Sequence, residues 1–344
     1  MSSQLKVLFL DTVHPALQEE LVKMNFQCDD FENFKDIPLE KLISQYHGLV
    51  LRAKFSLDKA LLEKAVQLKF IARAGAGMEN IDLKYAESRG IACLKAPEGN
   101  KDAVADHAVG MLLTLFKKLH IADFEVRRGF WNRESNRGIE LTGKTVGIIG
   151  YGYTGSEFAR RLKGFNCKVL AYDKYKKGFS NGCAEESDMA NIYENTDILS
   201  LHIPYTKETD YLVNYSFISR FKKSIYLVNT SRGKIVKTDD LVKHLKTGKI
   251  SGACLDVVEY ESASFERLKG LSMWTNKRGI DINRLSAYLV RIGLWRYLHP
   301  VQYLVKCNRV LLTPHVAGWS AESYEKISLI LAERIRELGL HEQG

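Results

Sequence analysis

Residues Thr145–Leu162 read TVGIIGYGYTGSEFARRL. The apolar run Val146–Ile149 ends in Gly150-x-Gly152-x-x-Gly155 and passes straight into helical spacing at Phe158, Ala159 and Leu162. Each glycine has a task in such a turn. Gly150 permits the sharp reversal, Gly152 lets the backbone approach a pyrophosphate, and Gly155 lets the helix lie close to the strand. The helix then offers free N–H groups and the positive end of its dipole to phosphate. A glycine-rich turn alone is weak evidence, but here the next strand, Lys168–Tyr172, ends on Asp173. An acid about 20 residues beyond the motif takes the ribose hydroxyls of NAD. Lys174, Lys176 and Lys177 follow it, yet the acid would repel a 2′-phosphate, so NAD is expected rather than NADP.

Working outward, further strands are expected at 197–202, 225–229, 252–256 and 309–312, separated by helical or turn-rich segments. Upstream, strands are expected at Lys6–Asp11, Gly48–Arg52, Phe70–Ala74 and Ile91–Leu94. Between them lie helical patterns through Leu17, Leu21 and Met24, at Leu39–Tyr46, and at Leu57–Val66 with Ser56 as N-cap. A fourth helix starts at Asp82 and is closed by Gly90. This alternation implies parallel sheets covered on both faces, an α/β fold. One long helix is expected from Asp102 to about Val126, with Val104, His107, Ala108, Met111, Leu112 and Leu115 on its apolar face. It suits a passage between domains and a dimer surface. Trp131–Leu141 reads as a connector, and a last helix as Ala321–Leu338.

A length of 344 residues allows two domains. The composition, 45% hydrophobic and 26% charged, is that of an ordinary globular protein. The start, MSSQLKVLFLD, lacks the features of a signal peptide, and no uncharged apolar run approaches the ~18 residues of a membrane helix. The six cysteines are scattered with no CxxC pair, which points to reduced thiols, a cytoplasmic location and no metal site. The net charge of +9 is local: Ser262–Lys306 holds eight Lys or Arg against two acids. That distribution argues against a nucleic-acid partner.

Three polar residues stand at expected strand ends of the nucleotide unit, where open α/β sheets bind ligands. Arg232 lies near the end of YLVNTSRG, Glu261 ends LDVVEYE, and His315 ends VLLTPH. Reduction of a 2-keto acid needs a cation for the carboxylate and ketone, a proton donor, and a carboxylate that keeps the donor charged. Arg, His and Glu meet those needs in turn. Singly, each has a plainer reading as a structural or solvated side chain, and their joint occurrence downstream of a nucleotide fold favours chemistry.

With RAGAGMENID (73–82), LHIP (201–204), VNTSRG (228–233), LDVVEYE (255–261) and LLTPHVAGWS (311–320) added to the glycine motif, the chain resembles the D-isomer-specific 2-hydroxyacid dehydrogenases over nearly its whole length. Within that family it is most similar to phosphoglycerate dehydrogenases without a regulatory domain. The resemblance implies two doubly wound parallel-sheet domains, with a Rossmann NAD domain (101–316) inserted into a flavodoxin-like substrate domain (1–100 plus 317–344). It implies that Arg232 anchors substrate and cofactor, and that Glu261 and His315 form the proton relay. Asp256 would touch the nicotinamide carboxamide, and Tyr153, Thr154, His202, Pro204, Thr230 and Gly318 would line the rest of the NAD site, with Asn100 nearby. Amides at Ala76 and Gly77 would receive the substrate carboxylate, and Arg52 and Lys54 its far end. The active site would lie in a cleft that closes before transfer, and the protein would be a homodimer.

Such a relative oxidises 3-phosphoglycerate to 3-phosphohydroxypyruvate in serine biosynthesis. The rival reading in the same class is a glyoxylate or hydroxypyruvate reductase. From a different class comes an NAD-sensing binding module, as corepressors of this fold are. One departure stands out. Residues 269–299 have no match in the family pattern, and Leu285, Tyr288, Leu289, Ile292 and Trp295 fall on one helical face beside Arg284 and Arg291. Between a basic helix that docks on a partner or membrane surface and a surface excursion, the excursion is expected, with activity surviving its deletion.

Overall fold

A computed structural model describes residues 4–34, 36–259, 261 and 295–340, giving backbone alone for 295–299. The chain divides into two compact units, residues 1–103 with 318–344 and residues 104–317.

The first unit is built on five parallel strands: β1 (Lys6–Phe9), β2 (Gln27–Asp30), β3 (Gly48–Leu51), β4 (Phe70–Arg73) and β5 (Ala92–Lys95). Their order is β2-β1-β3-β4-β5. Successive side chains point to opposite faces, so Val7 and Phe9 enter one apolar layer and Leu8 the other. Helices α1 (Pro15–Lys23) and the C-terminal α12 (Ala321–Arg336) cover the first face with Leu17, Leu21, Ile327, Leu331 and Ile335. The second is covered by α2 (Leu39–Leu42), α3 (Lys59–Lys64) and α4 (Leu83–Ser88).

Two expectations change here. Asp58, not Ser56, caps α3, its side chain accepting the amide of Leu61 at 2.9 Å. The reason is that Leu57 pairs with Ile81 as a β-bridge and donates to Asn80, which keeps the chain extended past Ser56. The segment 39–46 forms only the short α2 followed by a 3₁₀ turn, Ile43–Gln45. Edge strand β2 went unread because QCDD carries no apolar run.

The second unit has seven parallel strands in the order β12-β11-β10-β9-β6-β7-β8. They are β6 (Thr145–Ile149), β7 (Lys168–Tyr172), β8 (Glu185–Glu186), β9 (Ile198–Leu201), β10 (Ile225–Asn229), β11 (Ile250–Leu255) and β12 (Val310–Leu312). The order reverses between β6 and β9, the crevice where a doubly wound sheet binds a dinucleotide. Helices α5 (Lys101–Phe116) and α7 (Tyr153–Leu162) pack on one face. The other is covered by α8 (Met189–Asn195), α9 (Tyr215–Ser219), α10 (Thr238–Thr247) and α11 (Trp295–Lys306).

The single helix expected over 102–126 is two. Lys118 adopts φ 53°, and α6 (Leu119–Val126) sets off anew. The returning chain makes the break. Ile139 donates to the carbonyl of Phe116, and Gly138 lies so near that a Cβ there would approach that oxygen to 2.7 Å. The periodic segment 285–294 lies outside the described residues.

Candidate active site

The glycine turn has the shape that its sequence requires. Gly150 has φ 94°, and a Cβ there would come within 2.3 Å of the His202 carbonyl oxygen. A Cβ on Gly155 would stand 2.0 Å from the carbonyl oxygen of Gly150, so helix and strand touch through bare backbone. Gly152 has nothing within 4 Å. That open side, beside the start of α7 with Tyr153 and Thr154, is the cradle a pyrophosphate needs.

Asp173 adjoins it. Its Oδ2 accepts the amide of Tyr151 at 2.8 Å, and Oδ1 accepts those of Tyr175 and Lys176 at 2.9 and 3.0 Å. Burial works against the charge, but these amides hold the carboxyl below its usual range. It therefore remains an acceptor for ribose hydroxyls. The neighbouring lysines are engaged. Lys174 Nζ meets Glu208 at 2.5 Å, Lys176 Nζ donates to the Tyr151 carbonyl at 3.3 Å, and Lys177 lies 5.7 Å from the Tyr172 ring. Acid outweighs free cation here, which fits NAD. A further sign is Thr230, whose hydroxyl oxygen is buried without a hydrogen-bond partner. Pro204 is exposed, its carbonyl accepting the Thr209 hydroxyl at 2.8 Å.

His202 is placed differently from the expectation. The ring is 8% exposed and lies under the turn, 2.9 Å from Ser200 Oγ through Nε2 and 3.3 Å from Thr154 Oγ1 through Nδ1. Burial pushes its pKa down to about 3. It is a neutral strut that orients Thr154.

Arg232, Glu261 and His315 are brought together at the ends of β10, β11 and β12. Buried Asn229 shapes the first loop: Nδ2 donates to the Arg232 carbonyl at 3.1 Å, and Oδ1 accepts the Ser231 amide at 3.1 Å. Gly233 follows, and a Cβ there would meet the Val258 carbonyl oxygen at 2.0 Å. Only glycine lets the loop that carries Arg232 lie against the turn that carries Glu261.

His315 Nδ1 lies 2.7 Å from Glu261 Oε2, while Glu261 Oε1 accepts the Val258 amide at 2.9 Å. An ionised carboxylate only accepts, so Nδ1 carries the hydrogen and Nε2 faces outward. The hydrogen bond that His315 donates to Glu261 raises the His315 pKa. Burial and Arg232 oppose the rise, and the charges of Glu261 and Asp256 assist it.

Two residues that the sequence reading did not assign to the site, Thr313 and His107, complete its support. His315 sits at φ 55°, a region that costs a non-glycine residue of order 1–3 kcal/mol. Asp256 holds the loop there. Its Oδ1 accepts the Thr313 hydroxyl at 2.6 Å and the Val316 amide at 2.9 Å. Its Oδ2 accepts the Ala317 amide at 2.9 Å, and its carbonyl accepts the His315 amide at 2.9 Å. His107 Nε2 stands 2.9 Å from Thr313 Oγ1. Asp256, expected at the carboxamide, is thus turned inward, 2% exposed, with both oxygens engaged by the loop after β12. His107 had read as one more position on a helix face, and no spacing rule pairs it with a threonine 206 residues away.

The first unit carries the remaining positions. Arg52 leaves β3 at the point where the strand order of its sheet reverses. Its amide donates to Asp11 Oδ2 at 2.6 Å and its carbonyl accepts Asn80 Nδ2 at 3.1 Å. The guanidinium lies 3.7 Å above the Trp319 ring and 5.7 Å from that of Tyr324, the two rings stacked at 6.0 Å. Burial lowers its pKa. Lys54 is exposed and spans 3.4 Å to Glu32. Ala76 and Gly77 form the half-buried turn beyond β4. Gly318 and Asn100 are neighbours, since a Cβ on Gly318 would come within 2.6 Å of Asn100 Nδ2.

Residues 109–317 match the family model of the D-isomer specific 2-hydroxyacid dehydrogenase, NAD binding domain. The chain is 30% identical over 333 residues to the D-3-phosphoglycerate dehydrogenase of Archaeoglobus fulgidus, covering 96% of this chain and 56% of that protein. It is 30% identical to the hydroxypyruvate reductase of Thermotoga maritima, covering 95% and 98% respectively. The D-lactate dehydrogenase of Aquifex aeolicus, solved with NAD and lactic acid, superposes with a TM-score of 0.76 at 29% identity, covering 97% of this chain and 95% of that one. The chain thus spans about half the length of the first phosphoglycerate dehydrogenase and nearly all of the reductase. It belongs to the D-isomer specific 2-hydroxyacid dehydrogenases, and its second unit holds their NAD-binding domain.

Proposed function

We propose that this chain is an NAD-dependent oxidoreductase acting on the CH–OH group of a D-2-hydroxy acid. The observation that carries this reading is the 2.7 Å contact of His315 with Glu261, beside a guanidinium on the adjoining loop. NAD, when bound, supplies the hydride acceptor or donor. Arg232 holds the substrate carboxylate and polarises the ketone through its fork of N–H groups. His315 donates the proton from Nε2 to the ketone oxygen during reduction and takes it back during oxidation. Glu261 keeps the imidazolium charged for the first direction.

The substrate we favour is 3-phosphoglycerate, oxidised to 3-phosphohydroxypyruvate in serine biosynthesis. Arg52 supports it as a half-buried guanidinium stacked on aromatic rings and suited to a phosphate. The alternative, a hydroxypyruvate or glyoxylate reductase, draws on Lys54, which is turned toward Glu32 and leaves one cation where two would suit a phosphate better. Turnover of phosphohydroxypyruvate, hydroxypyruvate, glyoxylate and pyruvate, each with NADH and NADPH, decides. Preference for the phosphorylated acid supports the first reading, preference for an unphosphorylated one the second, and NADH binding without turnover a sensor.

We also propose a homodimer. Leu119, Phe124, Val126, Phe130 and Trp131 are each more than half exposed on and just beyond α6, an apolar face suited to a second copy. Sedimentation of Trp131→Asp as a monomer beside a dimeric parent would support it. The six cysteines are unpaired, in keeping with a cytoplasmic enzyme.

A further inference from the structure

Glu259 and Glu261 leave β11 in one turn and take opposite tasks. Glu261 goes to His315. Glu259 Oε1 accepts the Tyr211 hydroxyl at 2.5 Å, and its Oε2 accepts the amide of Thr238, the first residue of α10, at 3.0 Å. A carboxylate at that helix start is favoured by the dipole. Tyr211 is itself fixed. It adopts φ 48°, its amide donates to the Lys234 carbonyl at 2.9 Å, and Val213 bridges Val236 two residues on. These contacts tie it to the turn that follows Arg232. The hydrogen bond to Glu259 raises the phenol pKa far above its usual value, so the hydroxyl remains a donor.

The residue just before the first acid joins these tasks. Val258 presses its carbonyl on Gly233 and donates its amide to Glu261 Oε1. A shift of this turn therefore moves the amide that sets the orientation of the Glu261 carboxylate. We propose that Tyr211 and Glu259 are positioning residues: they clamp the turn after β11 on α10 and so hold Glu261 in register with His315. The proposal rests on the reading of Glu261 and His315 as the proton relay. It assigns Glu259 a role that its acidic sequence context conceals.

The test is the titration of the His315 imidazole, followed by NMR in the full chain, with kcat and KM alongside. Glu261, Arg232 and Asp256 are the charged groups that act on that ring. In Tyr211→Phe and Glu259→Ala the His315 pKa moves toward its ordinary value. In both, kcat for reduction falls about tenfold, the scale of one lost hydrogen bond to a charged group, while KM for NADH changes less than twofold. Glu259→Gln keeps one acceptor and falls between Glu259→Ala and the parent. It serves if either larger change unfolds the chain. Folded variants in which neither the His315 titration nor kcat moves would overturn the clamp. Glu261→Gln separates this from the underlying reading, since an unaltered His315 titration there removes the relay itself.

Discussion

Two arginines stand at strand ends of two parallel sheets, and the protein treats them in opposite ways. Arg232 follows β10 in a loop whose neighbours are charged and hydrogen-bonded: His315 and Glu261 stand 2.7 Å from each other, with Asp256 behind them. Arg52 follows β3 and rests on aromatic rings, its guanidinium 3.7 Å from Trp319, while Asp11 takes only its backbone amide. A charged setting tunes a proton donor. An aromatic platform leaves the donors at the edge of the guanidinium available to an anion and pays in desolvation, which is why burial lowers the Arg52 pKa. The lesson is that strand-end position alone assigns no role: the neighbours decide whether an arginine joins a charged network beside a proton donor or rests on rings with its edge open to an anion.

The sharpest way to break this contrast is to remove the donor. His315→Asn should reduce kcat by about 10²–10⁴-fold with NADH affinity intact, read by steady-state kinetics and fluorescence titration. An equal loss of kcat in Arg52→Ala would erase the distinction. The pH dependence tests the same group. Because the His315 pKa is raised, the rate of reduction should fall as pH climbs through that raised value, and oxidation should rise over the same window. The linked stability has the same sign. It is fully present below the unfolded pKa of about 6.5 and is lost as pH rises through the folded value.

Next in size is Gly155→Ala. Its Cβ would sit 2.0 Å from the Gly150 oxygen, and overpacking of this kind costs about 1–3 kcal/mol. A weaker NADH complex and a lower melting temperature are expected, with no change in substrate preference. Arg52→Ala should raise KM for phosphohydroxypyruvate about tenfold or more, the loss of a charged hydrogen bond, with little effect on hydroxypyruvate. Arg52→Lys should not restore it, since a lysine has no planar face for Trp319. The smallest effect belongs to Glu208→Gln. Freeing Lys174 from an exposed pair should improve NADPH binding only a few-fold, measured as the ratio of the two cofactor dissociation constants.

The strand cores were legible because a parallel strand buried on both faces must be apolar throughout, as VGII, LVL and FIA are. The polar edge strands QCDD and EE were not, since their pairing is made by a neighbour and not by their own side chains. The helix expected over 102–126 failed for a similar reason. The Phe116 carbonyl is taken by residue 139, a partner invisible in any local window.

The sequence by itself determined the α/β class, the glycine turn, and the chemical types at three strand ends. These depend on residue periodicity, on the absence of a Cβ, and on what each side chain can donate or accept. Only the tertiary structure decided that Asp256 and His202 work as supports, that Thr313 and His107 join them, and that Glu259 and Glu261 part company. A carboxylate or imidazole is versatile, and its role follows from which donors and acceptors the fold carries to within about 3 Å of it.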